Sequence, residues 1–313
     1  MLMTESVLPK INPGILVRHP GKPEWGLGRV LDVQGTKVKV YFRDLPGDHP
    51  EAAVIILDTR YVALEVTVVQ SDPFLDNLPP YRDGRFVQPP KTRVTLEQGI
   101  MKFHSLFPLL FKDRAYIGDA KSGERWYKWA AHQLFETTLG NDQIGALLAS
   151  DGVDEVRHRA LAVEGRTNLL AVFEKAALRD GLRDDAAATK YFNSLRKVLN
   201  TPVIEPGSFS DYLAAVEDLP SGGGTSPAKW TVATILPYLA QPHRFMFLKP
   251  LVTQDCAARL TFDLAYSTEL SWNTYSRLLE MSKCLLDFLQ PYGAVDFIDV
   301  QSFIWVIGGG WER

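Results

Sequence analysis

Asp296 and Asp299, followed by Gln301, are the side chains whose types and spacing come nearest to doing chemistry. Paired carboxylates can hold a metal or exchange protons. A nuclease-like centre would add a lysine at strand spacing, and none follows, so their expected role is to cap the terminal segment. The second candidate is Glu164-Gly165-Arg166-Thr167-Asn168, continued by Glu174, Lys175, Arg179 and Asp180. Opposite charges at such spacings form ion pairs; the alternative is a polar pocket around Glu164, Arg166, Asn168, Glu174 and Arg179, with Gly165 admitting another backbone.

The remaining chemistry is quieter. Six histidines (19, 49, 104, 132, 158, 243) are scattered with no His-x-x-x-His pair, and the two cysteines form no Cys-x-x-Cys, so no metal site is expected. Cys256 follows Thr253 at the expected start of a helix, where the dipole lowers a thiol pKa, but a packed hydrophobe is the expected role for both Cys256 and Cys284. Nucleophile-elbow, phosphate-loop and dinucleotide fingerprints are absent. No catalytic residue and no cofactor is therefore assigned.

Both candidate stretches need helices to position them. After Thr95, apolar residues recur three and four apart in eight stretches, among them ERWYKWAAHQLFETTL, a long VDEVRHRALAVEGRTNLLAVFEKAALRDGL and SWNTYSRLLEMSKCLLDFLQPYG, the period of amphipathic helices. Ser208 and Ser271 suit N-caps, Pro202 and Pro291 suit helix ends, and Gly140 and Gly293 suit C-terminal positions. WTVATILPYL and RFMFLKPLVT, rich in β-branched and aromatic residues, are candidates for a buried β element. SGGGTSP at 221–227 reads as a flexible loop.

Residues 13–68 follow a different rhythm, with short β runs punctuated by turns. Around Gln34-Gly35-Thr36, Val38, Val40 and Phe42 fall on one face and Lys37, Lys39 and Tyr41 on the other, the second expected to meet water or a partner. Gly26 and Gly28 flank Leu27 before a strand, where tight curvature tolerates no Cβ. Trp25 sits in this loop with Arg18, His19, Lys22 and Arg29 around it; its two roles are core or rim packing and an aromatic anchor on an interaction surface. Residues 71–95 carry five prolines and read as an extended linker whose Phe74, Leu75, Tyr81 and Phe86 pack along a domain. The expected organisation is α+β: a β-barrel over 1–70, a Pro-rich linker over 71–95, and a larger, mainly helical domain over 96–313.

The stretch VRHPGKPEWGLGRVLDVQGTKVKVYF resembles the Tudor-like, SH3-like barrels that close UvrD-type helicases and the N-terminal barrel of CarD-type transcription regulators. It also resembles a small bacterial family of unknown function with a similar tryptophan-glycine motif. The resemblance covers about residues 14–66 and implies a barrel that engages RNA polymerase or lies near DNA, though the insert LPGDHPEAA departs from it. FLKPLVTQDCAARL, SWNTYSRLLE and DFIDVQSFIWVIGG are similar to an uncharacterised bacterial family, which implies no activity.

Composition bounds the rest. Net charge is −3 over 313 residues with signs intermixed, and residues 1–70 carry eight basic and eight acidic side chains, which disfavours sequence-independent phosphate binding by the barrel alone. MLMTESVLPK lacks a signal pattern, and no apolar run reaches membrane-spanning length, so a cytoplasmic location is expected. The reading is a non-enzymatic adaptor or regulator in bacterial nucleic-acid metabolism or defence, docking a protein of a transcription, repair or defence complex. The alternatives are direct nucleic-acid binding, or an enzyme, nucleolytic in character, with a cryptic site around Glu164–Arg179 or Asp296–Gln301. If those two segments meet in the fold, the cryptic-site reading gains.

Overall fold

In a computed structural model, residues 11–119, 122–150, 152–222 and 224–312 are described; the reading of MLMTESVLPK, and Gly223 of the glycine-rich loop, fall outside them. The fold is α+β, an antiparallel sheet followed by a mostly helical part. Its contacts divide it into two units, one ending at Met101 and taking in Ala257–Asp263, the other made of Lys102–Cys256 and the chain from Leu264.

In the first unit, β1 (Leu16–Arg18), β2 (Gly28–Gln34), β3 (Lys37–Phe42), β4 (Val54–Asp58) and β5 (Glu65–Val66) form an antiparallel sheet in the order β4-β3-β2-β1-β5. Alternation along β3 sends Val38, Val40 and Phe42 into one buried cluster with Val17, Val30, Leu57 and Leu64, as period-two patterning dictates. The Gly-x-Gly bend is a steric necessity. Gly26 has φ +70°, and a Cβ there would lie 1.9 Å from Asp44 Oδ2; one on Gly28 would lie 2.6 Å from Val40 Cγ1. At Gly28 any larger residue would crowd Val40 and Phe42 of β3, whereas at Gly26 the positive φ is what favours glycine.

The opposite face is exposed at Lys37 and half-buried at Lys39, but its Tyr41 end is covered. Tyr41 is buried there with Leu16, Leu27 and Ala53 beneath the chain's own Leu75 and Phe86. These come from α1 (Pro73–Asp76) and the hairpin of β6 (Tyr81–Arg82) and β7 (Arg85–Phe86), both inside the segment read as a linker. Asp72 caps α1, accepting from the backbone N–H of Phe74 and Leu75 at 3.1 and 3.0 Å, and pairs with Arg43. Arg93 then ties the segment's end to the sheet, donating to the Tyr41 hydroxyl at 3.1 Å and to the carbonyls of Leu45 and Arg43 at 2.6 and 2.7 Å. The prolines stiffen a cover rather than a spacer.

The helices are α2 (Leu96–Leu106), α3 (Arg114–Ile117), α4 (Trp126–Thr138), α5 (Gln143–Ser150), α6 (Val153–Gly165), α7 (Val172–Gly181), α8 (Asp185–Asn200), α9 (Pro206–Glu217), α10 (Trp230–Ala240), α11 (Pro250–Arg259), α12 (Trp272–Leu289) and α13 (Phe297–Ile307). Ser271 caps α12, but α9 begins at Pro206 after Glu205, which puts Ser208 inside the helix. The long helix expected from residue 153 is two: it breaks between Gly165 and Val172, and Glu174 turns back to accept the Ala171 N–H at 2.7 Å.

Of the two stretches weighed as a buried β element, the first is helical. All eleven residues of α10 are buried, and a helix enclosed on every side is selected by burial, against which β propensity is a weak term. Pro237 deprives the Ala233 carbonyl of its helical donor, and the Tyr212 hydroxyl donates to that carbonyl instead at 2.7 Å. Phe245–Leu248 run irregularly between α10 and α11; the backbone N–H groups of Met246 and Leu248 donate to the Tyr275 and Thr234 hydroxyls at 3.1 and 3.0 Å, not to a strand.

Candidate functional site

Around Trp25, the side chains read as a surface do not converge. The indole is half-buried, 5.1 Å from the Phe42 ring and 4.9 Å from the His19 ring between centroids, and packs on the sheet's cluster. Lys22 pairs with Glu24 at 3.6 Å, Arg29 with Asp76 of the cover, and Arg18 stands opposite Glu65 in the β1–β5 register. These cations are dispersed among carboxylates, and the indole is part of the packing.

In the helical unit, Asp296 caps α13, accepting from the Ile298 N–H at 2.9 Å. It is also one end of a buried ion network. Arg125 donates to Asp296 at 2.8 Å and to Asp299 at 2.7 Å, the Tyr116 hydroxyl donates to Asp299, and the Val295 N–H reaches its other oxygen at 2.8 Å. Burial pushes the Asp299 carboxyl above its ordinary range against the pull of Arg125. With Arg125 between them, the two carboxylates hold a guanidinium rather than a cation from solution.

One turn further along α4, Lys128 is wholly buried and donates to Glu124 at 3.0 Å and to the Ser302 hydroxyl at 2.9 Å. Burial lowers its pKa, opposed by Glu124. A lysine beside a serine is a base beside a nucleophile, but the Ser302 hydroxyl spends its own proton on the Ile298 carbonyl at 3.0 Å and is buried. The contact is structural. The sequence did carry a signal for it: Lys128 shares a helix face with Ala131 and Phe135, both buried, and a lysine in a core position demands a partner.

The polar stretch from Glu164 lies at the α6–α7 break. Burial raises the Glu164 carboxyl, opposed by Lys175 at 3.1 Å. Glu174 accepts from the Thr231 hydroxyl at 2.8 Å and faces Lys249 Nζ at 3.4 Å. Arg179 turns away to Asp180 at 3.2 Å, and Arg166 is exposed. Ion pairing therefore accounts for most of the cluster. Asn168 is different: with Glu124, Tyr127, Lys249, Gln301 and Trp305 it lines a cavity of about 160 Å³. Asn168 and Gln301, one from each stretch singled out in the sequence, come together there, but the carboxylates of those stretches are engaged elsewhere, Asp296 and Asp299 on Arg125, Glu164 on Lys175 and Glu174 on Lys249, so the meeting assembles no acid–base pair. Glu124, Tyr127 and Lys249 are additions that the sequence did not single out.

Cys256 lies well inside α11 rather than at its N-terminus, and is buried. Among the described residues no three His, Cys, Asp or Glu side chains gather as metal ligands would, and no helix is long and apolar enough to cross a membrane.

A family model matches residues 11–67, that of a protein of unknown function (DUF3553). The match covers the sheet's strands and leaves the helical unit outside it. Neither the curated proteins nor the solved structures yielded a match.

Proposed function

We propose that the chain is a non-enzymatic adaptor or regulator in bacterial nucleic-acid metabolism or defence, docking a protein partner through its N-terminal unit. The antiparallel meander with its Gly-x-Gly bend supports an SH3-like, Tudor-like reading of that unit. The observation that carries the docking is β4: it is an edge of the sheet, its first four residues are Val-Ile-Ile-Leu, and Ile56 and the nearby Tyr61 are 60% and 82% exposed. Edge strands are ordinarily blunted by lysine, proline or a covering segment. An apolar edge with none of these within the strand suits an extended segment of another protein added as a further strand. The ion pairs around Trp25 support a protein rather than a phosphate backbone as partner.

Affinity capture with the intact protein, repeated with Ile56→Lys, tests this. The exposed lysine should leave melting unchanged within about 0.5 kcal/mol and abolish retention of the proteins specifically captured. Unchanged retention would remove β4 from the reading, and a salt-dependent shift of duplex DNA by the intact protein would put nucleic acid in the partner's place.

A further inference from the structure

We propose that the helical unit's cavity is a binding site for a small zwitterion of the free α-amino-acid class. Gln301 is only 4% exposed, lines the cavity, and its Oε1 has no hydrogen-bond partner. A buried amide oxygen without a partner carries a desolvation cost, which a small rotation of the side chain toward a ligand in the cavity would relieve.

The groups beside it define what would fit. Glu124 receives both Lys128 and the Tyr127 hydroxyl on Oε2, which leaves its Oε1 as a second acceptor among the residues that line the cavity. Lys249 spends one N–H on the Leu169 carbonyl at 2.9 Å and another toward Glu174 at 3.4 Å; an ammonium has three, so one remains, with the exposed Asn168 amide as a further donor. The cavity thus offers acceptors for an ammonium group and donors for a carboxylate.

Its charges balance. Glu124 is matched by Lys128 and Lys249 by Glu174, so a ligand of zero net charge leaves the site neutral, whereas a net anion or cation would not. Size agrees: about 160 Å³ is close to the roughly 150 Å³ that accepts a benzene-sized guest. Trp305 supplies an aromatic wall for the ligand's side chain. Such a site would make the protein responsive to a metabolite, which the docking reading alone does not require.

The test is a thermal-shift screen of the full chain against glycine, L-alanine, L-valine, L-proline, L-glutamine and L-phenylalanine at about 10 mM, with sodium acetate and methylammonium chloride as half-ligands. A ligand that binds only the folded state raises the melting temperature in proportion to its affinity. Calorimetric titration of the best amino acid then follows on wild type, Gln301→Leu and Lys249→Met. We expect saturable one-to-one binding by at least one amino acid, no shift from either half-ligand, and affinity lowered tenfold or more in both variants. Gln301→Leu gives up no hydrogen bond at Oε1, so its ligand-free melting temperature should not fall, which separates lost binding from lost folding. The proposal is overturned if no amino acid stabilises the protein, if a half-ligand does as well, or if Gln301→Leu binds within twofold of wild type.

Discussion

The two units differ in what satisfies the charges they bury. In the sheet unit, both faces of the sheet are apolar where they pack, one on its own cluster and the other under residues 72–86; ion pairs such as Lys22–Glu24 and Arg60–Asp58 stand at the rim, and the buried Asp72 and Arg93 are held largely by backbone groups. In the helical unit, Arg125, Lys128, Asp296 and Asp299 lie inside, satisfied by one another and by hydroxyls. A charge at the rim is solvated whether or not its partner is present, while a charge inside depends on that partner. The helical unit is therefore the part of the molecule in which a single polar substitution does most harm.

The largest effect should follow from Arg125→Met, which leaves Asp296 and Asp299 buried without their cation. Loss of one partner from a buried pair costs about 3–5 kcal/mol, to be read from urea unfolding followed by far-UV circular dichroism. The sign with pH is fixed: without Arg125 the Asp299 carboxyl, already raised by burial, rises further above its unfolded value. The folded state then holds the proton more tightly, so the variant's deficit should shrink on going from neutral to mildly acidic pH. A deficit below about 1 kcal/mol, or one that does not change with pH, would end the contrast between the units.

Trp25→Ala probes the other side of it. The indole is half-buried against Phe42 and His19, so its removal should cost about 2 kcal/mol, roughly half of what a fully buried aromatic is worth. The change should appear in the unfolding of the sheet unit and be independent of salt and pH. If stability is unchanged while partner capture is lost, the indole is a contact residue and the packing account of this loop fails.

What the sequence revealed follows the same divide. The β2–β3 hairpin, the glycine bend, the amphipathic helices and the Ser271 cap are set by neighbours within a few residues, and local pattern exposes them. The Arg125 network joins residues 171 and 174 positions apart, and no periodicity connects those. The packing of Leu75, Tyr81 and Phe86 along a domain was legible from their size, but prolines signal stiffness without saying which face the stiff segment lies against. WTVATILPYL misled because a helix buried all round has no polar face to mark its period. At the cavity, Asn168 and Gln301 stood out as polar residues among apolar runs, whereas nothing in the sequence around Lys249 and Glu124 set them apart.

The smallest effect is expected at Asp142, which belongs to the helical unit but lies on its surface. Its carboxylate receives Arg196 Nη2 at 2.6 Å and the Asn200 amide at 2.9 Å, and these hydrogen bonds hold its pKa down from an ordinary 3.8 to about 2. A carboxyl with a depressed folded pKa contributes stability above its unfolded value and loses it as pH falls through the folded one. Asp142→Asn should therefore be slightly less stable than wild type at neutral pH, and the two should converge as pH falls from about 4 to about 2. Because both partners are more than 40% exposed at their side chains, solvent screens the pair and the neutral-pH difference should stay within about 0.5 kcal/mol. Asp142 also sits at φ +61° between α4 and α5, a conformation asparagine accepts as readily as aspartate, so the substitution isolates the charge. Paired urea titrations across that pH range decide the matter. A neutral-pH loss approaching that of Arg125→Met would mean that burial is not what separates strong from weak ion pairs in this protein.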